Sequence, residues 1–142
     1  MKIFTRNLLS LFFAAVITYI IGTIIGTILE FRSIPAKIPL ANYIETIAFN
    51  IKGQPLYLVV ISIGFSIAFP IAAKLRKSFK NIAAIGYPLA GATAIGIALG
   101  LMYLQFETVP ISGGRSAFGF IMQLIAGSLG GFTFSKLHKP LN

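Results

Sequence analysis

Lys74-Leu75-Arg76-Lys77-Ser78-Phe79-Lys80-Asn81 sits near the midpoint of the chain, with four basic residues, no acid and long uncharged apolar runs on both sides. Placing a Lys or Arg at the centre of a bilayer costs about 2.5–3.5 kcal/mol on insertion scales, and basic clusters mark the cytoplasmic ends of spans. The stretch therefore reads as a cytoplasmic hinge, residues 74–81, joining two transmembrane hairpins.

Toward the N-terminus, 55–73 is an uncharged run read as the second span, opened by Gly53 and Pro55 and carrying Pro70 in its last turn. Proline at a first helical turn costs little, because that N–H has no intrahelical partner. Toward the C-terminus, 82–106 is the third span, with Pro88 expected to kink or start it. An outer loop at 107–115, a fourth span at 116–134 and a tail at 135–142 complete the second hairpin. At the start of the chain Lys2 and Arg6 precede the uncharged run 8–29. Signal-peptide cores are about 7–15 residues. This run is longer, so it is read as a retained first span.

Between the first two spans, 30–54 is the longest polar connection. Pro35 and Pro39 end any helix continuing from the first span. After them Leu40, Tyr43, Ile44, Ile47, Ala48 and Ile51 recur at helical spacing. That pattern predicts a short helix near 40–51, too short to span and expected to lie in the outer interface.

Composition supports the same class. The chain has 142 residues, 56% hydrophobic and only 11% charged, against roughly a quarter charged in ordinary soluble domains. The net charge of +9 is not read as nucleic-acid binding, because the basic residues cluster at the ends of apolar runs rather than along a solvated face. Lys2, Arg6, Lys74, Arg76, Lys77, Lys80, Lys136 and Lys139 fall on the proposed inner side. Arg32, Lys37, Lys52 and Arg115 fall outside, with all three acids, Glu30, Glu45 and Glu107. The expected fold is thus an all-α integral membrane protein, a single domain over 1–142 with four transmembrane helices. Both termini are expected to be cytoplasmic, in a bacterial plasma membrane, with anionic inner-leaflet headgroups as partners of the basic residues.

Small residues recur every fourth position. Thr18, Gly22 and Gly26 do so in the first span and Ala92, Gly96 and Gly100 in the third, while in the fourth Gly127 and Gly131 lie below Gln123 on the same face. Such rows let helix backbones approach closely in lipid, so Gly22, Gly26, Gly96, Gly100, Gly127 and Gly131 are the expected packing residues. Shifting the chain by 74 residues lays Gly22 and Gly26 on Gly96 and Gly100; shifting it by 62 lays Lys74-Leu75-Arg76-Lys77 on Lys136-Leu137-His138-Lys139. These echoes suggest an internal duplication of one hairpin.

No ionisable residue lies at depth in any span, which argues against proton-coupled transport through carboxylates. Gln123 is the most polar side chain at depth, and Thr18, Ser62, Ser66, Thr93 and Ser128 are its candidate partners, either in an interhelical hydrogen bond or around a polar pore. Gly113-Gly114-Arg115, before the fourth span, is a candidate seat for an anion or lipid headgroup. Cysteine and aspartate are absent and His138 is in the tail, so no catalytic set, metal site or cofactor is expected. The sequence favours a non-enzymatic protein acting through helix packing, as an accessory subunit, a partner-binding protein or a homo-oligomer. A small channel or transporter lined by Gln123 and the hydroxyl residues is the alternative. Immunity against a membrane-targeting toxin is the third reading.

Overall fold

A computed structural model describes residues 2–138; Met1 and the last part of the expected tail, including Lys139, lie outside the described residues. The described residues form five α-helices and no strand. They are α1 (Lys2–Arg32), α2 (Leu40–Gly53), α3 (Pro55–Ser78), α4 (Gly86–Phe106) and α5 (Ala117–Leu137), with short 3₁₀ turns at Lys80–Ile82 and Ser112–Gly114. Four of them, all but α2, are long and apolar enough to cross a membrane. At 1.5 Å per residue even the 21-residue α4 and α5 are about 32 Å long, against a hydrocarbon core of about 30 Å. The four apolar helices suggest a multi-pass membrane protein.

The breaks between helices have local causes. Past Arg32 the α1 ladder gives way to two tight turns, Ser33 N–H to Glu30 O and Ile34 N–H to Phe31 O at 3.1 Å each, before Pro35. Pro39, in extended conformation, precedes α2. Gln54 alone separates α2 from α3, and Pro55 takes the first turn of α3. The basic stretch is less of a loop than its charge suggests, since α3 continues to Ser78 and carries Lys74, Arg76 and Lys77 as helical residues. Cations suit the negative end of a helix dipole. On the far side of the hinge the chain makes one 3₁₀ turn before α4 starts at Gly86, which leaves Pro88 in its first turn.

The long helices form a ring in the order α1, α3, α4, α5, each packed on two neighbours. Both described chain ends and the 79–85 connection share one end of the ring, the hinge end. Arg6 Nε donates to Leu137 O at 3.0 Å there, and the Tyr87 hydroxyl meets His138 Nε2 at 3.0 Å. The interior near that end is aromatic: Phe69 stacks on Phe134 with centroids 4.3 Å apart, and Phe134 on His138 at 4.9 Å. Further along the axis, glycine replaces aromatic bulk. A Cβ built on Gly127 would stand 2.6 Å from Gly91 O, and the backbones of Gly26 and Gly113 touch. These contacts bring α5 against α4, and α1 against the loop that leads into α5.

The helix expected near 40–51 is present as α2, and it does not lie across the loop end like a lid. Phe31 packs edge-on against Tyr43 at 4.7 Å, Asn50 Nδ2 donates to Thr27 Oγ1 at 3.1 Å, and Tyr19 Oη donates to Ile51 O at 2.7 Å. Moving along α2 therefore moves backward along α1, over about twelve residues or about 18 Å. Helix α2 runs back down α1, and α3 resumes the same course after the break at Gln54.

Candidate functional site: an amide clamp and the row beside it

Gln123 is fully buried. Its Oε1 accepts a hydrogen bond from Tyr57 Oη at 3.0 Å, and its Nε2 donates to Gly22 O at 2.9 Å. One neutral side chain on α5 thereby joins α1 and α3. An amide at membrane depth has no water to pair with, so these partners decide whether burial costs or stabilises. Interhelical bonds of this kind are worth about 0.6 kcal/mol on average in membranes, up to about 1.7.

Glycine makes the clamp possible. A Cβ on Gly22 would lie 2.6 Å from Gln123 Oε1, and one on Gly113 would lie 2.7 Å from Nε2. Gly22, Gly26 and Gly113 thus leave room for the amide between α1 and the loop before α5. One turn lower, Thr18 Oγ1 donates to Ala14 O at 2.9 Å and lies 3.4 Å from Ala126 O. Gly130 leaves the space that this hydroxyl fills.

A second polar row faces α2. Tyr19, Thr23 and Thr27 follow one another at every fourth position on α1. The outer two hold α2 through Ile51 and Asn50, while the Thr23 hydroxyl between them is buried without a hydrogen-bond partner among the described residues. The Tyr19 and Tyr57 rings meet edge to face at 6.0 Å, linking this row to the clamp.

The hydroxyl residues expected around Gln123 are elsewhere. Ser62 Oγ donates to Leu58 O at 2.8 Å, Ser66 Oγ to Ser62 O at 2.7 Å and Thr93 Oγ1 to Leu89 O at 2.8 Å, each on its own helix. Ser66 and Thr93 are exposed, and Ser62 and Ser128 are half-buried. Thr18 is buried in the same interior as Gln123 but bonds carbonyls, as described. Of the expected packing glycines, Gly22, Gly26, Gly127 and Gly131 are pressed against neighbours and Gly96 lies against Leu124, whereas Gly100 has open space. Gly113 and Gly114 are buried against Gly26 and Val109, and Arg115 turns back so that its Nε donates to Val109 O at 3.0 Å.

Residues that the sequence pattern does not single out carry much of the site: Tyr57, Tyr19, Asn50 and Thr27. The usable signal was the two tyrosines, 19 and 57, inside otherwise apolar spans, since a buried phenol needs a partner off its own helix. Nothing in the clamp titrates near neutrality, and what it can do is fix the relative position of three helices. No protein-family model, curated protein sequence or solved structure matches this chain.

Proposed function

We propose that this is a non-enzymatic membrane protein that works through its outer helix faces, as an accessory subunit or partner-binding protein. Its hinge end faces the cytoplasm, by the surplus of Lys and Arg there. The duplicated hairpin rests on the sequence echoes alone, and the corresponding glycines Gly26 and Gly100 have different surroundings.

One observation carries the reading. The Gln123 amide and the Tyr57 hydroxyl are consumed inside the chain by the clamp, while Gly100 differs from the other five row glycines in that a Cβ added to it would meet no described atom beyond its own helix backbone within 4 Å. Gly100 lies on the outer half of α4 beside the exposed Leu101 and Leu104, a notch suited to a second helix. The channel reading has less support, because Gln123 is sealed and Ser66 and Thr93 face outward, bonded to their own helices.

A photo-reactive side chain at Leu104 in native membranes tests this. The expected result is a discrete protein adduct, with another protein or a second copy, that Gly100→Leu abolishes. Adducts to lipid alone would overturn it. In liposomes, solute flux is expected to match that of empty vesicles, and flux abolished by Gln123→Leu would favour the channel instead.

A further inference from the structure

We propose that the groove between α3 and α4 seats an acyl chain of an anionic phospholipid, with the lipid phosphate held at Arg76. The groove has a volume of about 320 Å³. Its floor is built from small residues, Gly64, Ala68 and Ala72 on α3 and Gly86, Ala90 and Ala94 on α4, and Leu75 and Ile82 close it at the hinge end. The polar side chain in its lining is Thr93, and that hydroxyl is already bonded to Leu89 O.

The length of the groove points to the occupant. The lining runs from Gly64 to Leu75 on α3 and from Gly86 to Ile97 on α4, about 16 Å along either axis. That is about half the hydrocarbon thickness of about 30 Å. A transmembrane partner helix would want a groove along its whole length, whereas a chain from one leaflet needs this much.

Charge identifies the headgroup. Gly86, where the groove ends, also supports Arg76: a Cβ there would stand 2.6 Å from Arg76 Cγ and 2.8 Å from Cδ. The guanidinium carbon lies 4.4 Å above the Tyr87 ring centroid, so its place is fixed by cation–π contact. Its Nε is buried and has no hydrogen-bond partner among the described residues. That Nε is closed to a ligand, so a phosphate would be met by the two terminal guanidinium nitrogens, whose fork matches its oxygens. Lys74, Lys77 and Lys80 are exposed close by in sequence, while Glu30, Glu45 and Glu107 all belong to the opposite end. A phosphate at the hinge end therefore meets several cations and no carboxylate side chain from these three.

The inference rests on the membrane placement proposed above and needs no protein partner, so isolated chain tests it separately. Native mass spectrometry of the full chain in mild detergent, with phosphatidylglycerol and phosphatidylcholine of identical acyl chains, provides the readout. One phosphatidylglycerol per chain is expected, retained about fivefold or more over phosphatidylcholine. Arg76→Gln is expected to cut that retention about tenfold. Ala90→Leu, which fills the groove, is expected to remove it, and Ala68→Leu repeats the test from the opposite wall should the first variant not fold. Lys136→Gln removes an equal charge on α5 and is expected to leave retention unchanged. Equal retention of the two lipids would overturn the proposal. So would retention that survives a folded groove-filling variant, or a loss from Lys136→Gln as large as that from Arg76→Gln.

Discussion

Adding one methyl group to each of two glycines should move stability in opposite directions. At Gly127 the new Cβ would stand 2.6 Å from Gly91 O and 2.6 Å from Ile95 Cγ1, where ordinary contact begins at 3.4 Å. Relief requires α4 and α5 to part by about 0.8 Å at their closest crossing, the difference between those distances. Gly91 has no side chain to rotate away, so backbone must move. Overpacking of this kind costs about 1–3 kcal/mol, and the better helix propensity of alanine returns about 0.8–1.0 kcal/mol. Gly127→Ala is therefore expected to lose up to about 2 kcal/mol. At Gly100 a Cβ meets nothing within 4 Å among the described residues, so only the propensity remains, and Gly100→Ala should gain up to about 1 kcal/mol. Unfolding of the purified chain in mixed micelles by a denaturing detergent, followed by circular dichroism, measures both. If Gly127→Ala stabilises as much as Gly100→Ala, or Gly100→Ala loses as much as Gly127→Ala, the close α4–α5 crossing is not what holds those helices together.

Other outcomes rest on single named contacts. Tyr57→Phe leaves Gln123 Oε1 without its donor and should destabilise by about 1–2 kcal/mol; combined with Gln123→Leu it should cost no more than Gln123→Leu alone, and strict additivity would deny the bond. Glu107 ends α4 in a left-handed conformation, φ 55°, so Glu107→Gly should stabilise by about 1 kcal/mol in the same assay. Asn50→Ala frees the end of α2 from Thr27, so amide exchange in α2 should quicken about fivefold while the four long helices keep their rates.

The spans were legible because lipid permits few alternatives: a long uncharged run must satisfy its own backbone, and helix is the way to do it. Glycine spacing was legible for the same reason. The partners of Gln123 were not, and the cause is local. A serine or threonine on a helix can give its hydrogen to the carbonyl four residues back, as Ser62, Ser66 and Thr93 do, so polar character alone does not bring it to a distant amide. A tyrosine hydroxyl stands too far from its own backbone for that, and Tyr57 had to find Gln123. The course of α2 was hidden for a related reason. Its apolar spacing announces a helix, but what turns it back along α1 is a pair of single bonds, from Tyr19 to Ile51 and from Asn50 to Thr27, which no periodicity encodes. Gly100 shows the converse limit, since it shares the spacing of Gly96 and lacks its neighbour.

The bond between Gln123 and Gly22 joins residues 101 apart in sequence. A ribosome adding about 5–20 residues per second delivers the fourth long helix roughly 5–20 s after the first. Throughout that interval the face of α1 that will meet α5 stands open to lipid or to the insertion machinery. Thr18 can wait, because its hydroxyl is already bonded to Ala14 O. Tyr57 cannot satisfy itself in that way. A nascent chain stalled before α5 therefore carries an unpaired phenol and a bare glycine face, which is the kind of surface that membrane quality-control proteases and chaperones are positioned to meet.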